Sequence, residues 1–116
     1  MSRSPITTHI LDLGNGTPAA DVFVTLDYLG EMPAGEPRRI AGAKTDSDGR
    51  IADWFSGAIT AGHYRLTFAT GPWYESRGET SFYPQICLDF RVTDITAHYH
   101  VPLLLNQWGY STYRGS

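Results

Sequence analysis

Cysteine is nearly missing from this chain: Cys87 is the only one in 116 residues. A lone thiol makes neither an intrachain disulfide nor a thiolate metal cage. Within "QICLDF" it has apolar neighbours and no adjacent base, so it is expected to be buried and inert. No apolar run approaches the ~20 residues of a transmembrane helix. The opening "MSRSPITTHI" lacks the apolar core of a secretory signal, and a cytoplasmic protein is expected. Positive charge is also scarce: 9 Lys and Arg against 12 Asp and Glu leave a formal charge of -3. That argues against nucleic-acid and membrane-surface partners, both of which need a basic field. Neither a phosphate-cradling glycine loop nor a Gly-x-Ser-x-Gly elbow around Ser111 or Ser116 is present.

What remains is ordinary for a globular protein, 41% hydrophobic and 18% charged, with length enough for one domain over residues 1–116. Glycine (12), proline (7) and tyrosine (7) favour turns and strands. The dominant hydrophobic period is two. In "ITTHILDL", Thr7, His9, Leu11 and Leu13 share one face, and Ile6, Thr8, Ile10 and Asp12 the other. "DVFVTLDYLG" sets Val22, Val24 and Leu26 against Phe23, Thr25 and Asp27. "GHYRLTFAT" repeats the pattern with Tyr64, Leu66 and Phe68. "RRIAGAKT", "IADWF", "QICLDFRV", "AHYHVPLLLN" and "GYSTYRGS" add further strands. "EMPAGEP" is a loop, and a two-turn helix fits between Pro72 and Pro84. Seven or eight short strands between turn signals predict an antiparallel β-sandwich.

One strand departs from the half-solvated pattern. Tyr99, Val101, Leu103 and Leu105 form a core face, yet the opposite side carries His98, His100, Pro102 and Leu104. Imidazole and apolar groups on a nominally wet face predict cover by another subunit. His98 and His100 lie two residues apart, projecting to one side roughly 7 Å from each other. Such a pair presents two zinc ligands, with His9 as a third, or else simply lies at a surface or interface; no Asp or Glu stands at a matching position. "DSDGR" imitates a calcium loop but lacks its later oxygen ligands, so it reads as a tight turn delivering Arg50 to a strand start.

Taken in order, "THILDLGNGTPAADVFVTL", "KTDSDGRI", "HYHVPLLL" and the final "YSTYRGS" resemble the 5-hydroxyisourate hydrolase family, transthyretin-related enzymes of purine catabolism. The likeness spans the chain; "NQWGY" and the "LGEMPAGEPRR" loop depart from the family's usual sequence outside its motifs. The resemblance implies an all-β, transthyretin-like sandwich of two four-stranded sheets with one short helix. It also implies a homotetramer with active sites at the dimer–dimer interface. Its motif residues fall on His9, Arg50 and His100 as the catalytic set, and on Tyr113, Arg114, Gly115 and Ser116 as the substrate-binding tail. The implied reaction opens the ring of 5-hydroxyisourate, a purine-derived small molecule, to 2-oxo-4-hydroxy-4-carboxy-5-ureidoimidazoline.

That reaction must deprotonate water, hold an oxyanion and protonate a leaving nitrogen. Imidazoles near pKa ~6.5 suit the first and third tasks, which His9 and His100 divide. Arg50 or Arg114 offers a planar fork for substrate oxygens, and a tail amide offers an oxyanion donor. Tyr113 stacks on or hydrogen-bonds the flat ring, and Ser116 orients a ring group or the water. No metal or organic cofactor is expected, and His98 is expected only to flank the site. A carrier like transthyretin, binding an aromatic ligand without turnover, is the alternative.

Overall fold

In a computed structural model the chain is described over residues 3–31 and 35–116, so part of the expected loop at 31–37 lies outside the described residues. Two sheets pack face to face. The first contains β1 (Ile6–Asp12), β2 (Thr17–Pro18), β5 (Arg50–Ile51), β8 (Tyr99–Leu105) and β9 (Tyr110–Thr112), ordered β2-β1-β8-β9 with β5 also paired to β1. The second holds β3 (Phe23–Tyr28), β4 (Arg38–Lys44), β6 (Gly62–Phe68) and β7 (Ile86–Val92), ordered β4-β3-β6-β7. The expected sandwich and short helix are there, with β5 adding a fifth strand to the first sheet.

The period-two faces decide what is inside. Ile6, Ile10, Val24, Leu26, Leu66 and Phe68 are fully buried between the sheets, as burial of one face per strand requires. The same alternation corrects the expectation for Cys87. On β7, Ile86 and Leu88 turn inward, so Cys87 between them turns outward and is exposed. The apolar run around it was an alternating strand.

The helix α1 (Thr70–Ser76) begins two residues before Pro72, not after it. Proline is tolerated there because amides of the first turn have no intrahelical partner. Among the described residues no helix is long and apolar enough to cross a membrane.

One ladder breaks the antiparallel expectation. β1 and β8 run parallel, with Thr7 opposite His100, His9 opposite Pro102 and Ile10 opposite Leu103. These strands are distant in sequence, and the Thr8 hydroxyl reinforces their pairing by donating to the Val101 carbonyl at 2.6 Å. Parallel pairing of remote strands leaves no turn signal for a sequence reading to find.

Candidate active site

The outer face of the first sheet gathers the chemistry. The strand expected over "IADWF" shrinks to Arg50–Ile51, which pairs antiparallel with β1 so that Arg50 stands opposite His9. Directly opposed residues share a face with Cβ atoms about 5 Å apart. The turn before β5 fixes this placement. Asp46 Oδ1 accepts the amides of Asp48 and Arg50, both at 2.9 Å. Gly49 takes φ 74°, a left-handed conformation that glycine adopts without strain. Its carbonyl accepts the Ile10 amide at 2.7 Å, docking the turn on β1.

β8 supplies the other imidazoles. His98 and His100 lie nearly parallel, 19° apart, with ring centroids separated by 6.3 Å. The buried Thr7 hydroxyl stands between them, 2.8 Å from His100 Nδ1 and 3.0 Å from His98 Nε2. Arg3, Thr7, Arg50, His98, His100 and Ser116 line a cleft of about 140 Å³. Among the described residues neither Arg3 nor Arg50 makes an ion pair, so two guanidinium groups border the cleft without a paired carboxylate side chain. No cluster of three or more His, Cys, Asp or Glu suited to a metal ion occurs among the described residues.

The tail closes one side. The Gly115 amide donates to the His100 carbonyl at 2.8 Å, in an antiparallel bridge beyond β9. Alternation then sends Arg114 to the opposite face, where its guanidinium lies 4.4 Å from the centroid of the Tyr99 ring. Tyr113 and Arg114 border a second concavity of about 270 Å³ against β7. The structure thus brings His9, Arg50, His100, Gly115 and Ser116 to one face and sets Tyr113 and Arg114 beside a different hollow. Thr7 and Arg3 join the cleft without having been singled out for it, beside His98, which was expected to flank the site. Thr7 shares the phase of His9 in the sequence, but only the β1–β8 register reveals its neighbours.

Burial and neighbouring charge disfavour the protonated form of all three imidazoles. Burial, then the Arg50 guanidinium, lowers the pKa of His100, and His98, His9 and Arg3 push the same way. Burial and then Arg50 also lower His9, opposed by the Asp48 backbone and by the carboxylates of Asp46 and Asp48. Burial and then Arg3 lower His98. Neutral imidazoles accept protons, and the adjacent guanidinium can steady a developing anion.

Comparison with known proteins agrees on one family. The sequence model of the HIUase/Transthyretin family matches residues 6–115. The 5-hydroxyisourate hydrolase of Salmonella dublin is 45% identical over 112 residues, covering 96% of this chain and 80% of that protein. The structure of Klebsiella pneumoniae 5-hydroxyisourate hydrolase is similar with a TM-score of 0.83 and 40% identity, each chain covered in full. Sea bream transthyretin in complex with thyroxine is similar at a TM-score of 0.88 and 29% identity, covering 97% of this chain and 95% of that one.

Proposed function

The chain belongs to the HIUase/Transthyretin family, and from that premise we propose that it is an enzyme, a 5-hydroxyisourate hydrolase acting in urate breakdown. The observation that carries the reading is the meeting of Arg50 and His100 in one cleft, with His9 directly opposite Arg50. Carriage of an aromatic ligand needs no such acid–base set. Lowered pKa values leave His9 and His100 ready to take a proton from water at neutral pH. Water adds to a ring carbonyl as one imidazole removes its proton. Arg50, which makes no ion pair among the described residues, steadies the oxyanion. Protonation of the ring nitrogen by an imidazole then lets the C–N bond break, giving the ureidoimidazoline carboxylate. Ser116 and the Gly115 backbone border the substrate; Tyr113 and Arg114 reach it only from a neighbouring subunit or by a shift of the tail. The protons move among this chain's own side chains, without metal or cofactor.

A homotetramer completes the site. A cleft of about 140 Å³ is below the ~300 Å³ at which small-molecule pockets usually begin. The face around it also carries the half-buried Leu11 and Leu104, which a second subunit would cover while supplying the missing wall. The unpaired Cys87 is compatible with the reducing cytoplasm.

The test generates 5-hydroxyisourate in situ with urate oxidase and follows its ultraviolet decay. The protein is expected to accelerate that decay, and His9→Asn or His100→Asn to lower kcat by about 100-fold or more with the assembly intact. Binding without acceleration would establish the carrier reading instead.

A further inference from the structure

The hydrolytic scheme leaves Thr7 unused, although it is a buried polar group lining the cleft. Its hydroxyl reaches Nδ1 of His100 and Nε2 of His98 at once. The register that sets Thr7 opposite His100 also sets His98 two residues away on the same face. A hydroxyl has one proton to donate and lone pairs to accept. Between two imidazole nitrogens it can accept from one while donating to the other, and that arrangement ties the two tautomers. If His100 carries its proton on Nδ1, that proton points at Thr7, and Thr7 donates to a bare Nε2 of His98. In the opposite arrangement His98 donates to Thr7, Thr7 donates to a bare Nδ1, and His100 carries its proton on Nε2. Among the described residues Nε2 of His100 has no hydrogen-bond partner. That free nitrogen is a base in the first arrangement and an acid in the second.

On the hydrolase reading above, we propose that Thr7 and His98 act as positioning residues behind His100, a proton relay that converts it from general base to general acid within one turnover. As the new C–O bond forms, Nε2 of His100 takes a proton from water. The Nδ1 proton passes to Thr7 Oγ1, and the Thr7 proton passes to Nε2 of His98. His98 becomes an imidazolium, and His100 stays neutral with its proton on Nε2. As the C–N bond breaks, that proton goes to the leaving nitrogen and the relay runs backwards, returning His98 to neutrality. The atoms of one water are consumed, and no other proton is gained or lost.

The surroundings favour charge at the far end of the relay. Beyond burial and the mutual repulsion of the two imidazoles, Arg50, His9 and Arg3 oppose protonation of His100, and at His98 Arg3 does. Placing the transient cation on His98 removes it from the guanidinium that serves the oxyanion.

The test uses the full chain with Thr7→Val, which keeps the shape and loses the hydroxyl, and Thr7→Ser, which keeps the hydroxyl. Thr7→Val is expected to lower kcat about 10- to 100-fold with KM within about twofold. Thr7→Ser should recover most of that loss. A proton inventory in mixed H2O and D2O should be bowed for the wild type and linear for Thr7→Val. Without substrate, nitrogen-15 NMR should show His100 Nδ1 and His98 Nε2 shifting together in Thr7→Val and holding in Thr7→Ser. A Thr7→Val enzyme with wild-type kcat, a Thr7→Ser enzyme as slow as it, or unmoved imidazole resonances would each overturn the relay. Failure of the wild type to accelerate decay would refute the hydrolase reading separately, because the NMR measurement needs no turnover.

Discussion

Replacing Gly115 by alanine should separate activity from stability. A methyl group built there meets Cδ2 of His100 at 2.7 Å, and Cγ of His100 and Cγ of Pro102 each at 3.3 Å. The first approach falls roughly 0.7 Å short of the 3.4 Å at which ordinary contact begins. The tail cannot simply withdraw, because the Gly115 amide is bonded to the His100 carbonyl at 2.8 Å. Pro102 is buried and rigid, so the half-buried imidazole gives way, and tilting it stretches the 2.8 Å bond to Thr7. Loss of that bond destabilises the fold by about 1 kcal/mol, a fall in Tm of about 4 °C for a domain of this size. The effect on rate is larger. A reacting group displaced by ~1 Å loses about 100-fold, so Gly115→Ala should lower kcat/KM about 30- to 100-fold. Ultraviolet decay of 5-hydroxyisourate beside a thermal melt measures both. A folded Gly115→Ala protein at full rate would refute the placement of the tail against His100.

The remaining predictions concern the docked turn and pH. Gly49 and Gly57 both have positive φ, 74° and 98°, but a Cβ at Gly49 meets the Ile10 carbonyl at 2.5 Å, while one at Gly57 meets nothing within 4 Å. Urea denaturation should therefore show about 1 kcal/mol lost for Gly57→Ala and about 3 kcal/mol or more for Gly49→Ala, and equal losses would refute the docking. Because His9 and His100 have lowered pKa values, kcat/KM should stay level as pH falls to ~6.5 and drop only below it; an acid limb centred above that value would contradict their neutral state. For stability the unfolded chain binds more protons at these positions. Stability should decline as pH falls from ~6.5 through the lowered values, with His100→Asn weakening the trend in denaturant titrations.

The strands were legible because each one hides a single face. Ile6 and Ile10, Val24 and Leu26, Leu66 and Phe68 all lie inside as their spacing requires. Arg50 was legible too, since a tight turn ending at Gly49 hands the next residue straight to a strand. Cys87 misled because apolar neighbours were weighed above phase: Ile86 and Leu88 are buried and the thiol between them is not. The tail was legible as a motif but not as geometry. Alternation about the Gly115 bridge sends Arg114 over Tyr99 and away from the cleft, and no sequence pattern announces where that bridge forms. Thr7 shares the phase of His9, yet its partnership with two imidazoles depends on a parallel register between strands about ninety residues apart.

That register is held from behind. A slip of one residue between β1 and β8 would bring Ile6 or Thr8 beside His100 and turn the whole core face of β1 outward. Ile6, Ile10 and Leu103 are fully buried; exposing a side chain of that kind costs about 1.5–3 kcal/mol. The Thr8 hydroxyl adds a buried bond to Val101 that exists only in the observed register. The apolar side of the strand therefore fixes the ångström-scale spacing on its polar side, where the Thr7 hydroxyl must meet two rings within 3.0 Å. The Gly49 turn and the Gly115 bridge then fasten Arg50 and Ser116 to the same strand pair. A site assembled on the outer face of one sheet gains its rigidity from the core it turns away from, and changes in that core should register first as lost rate.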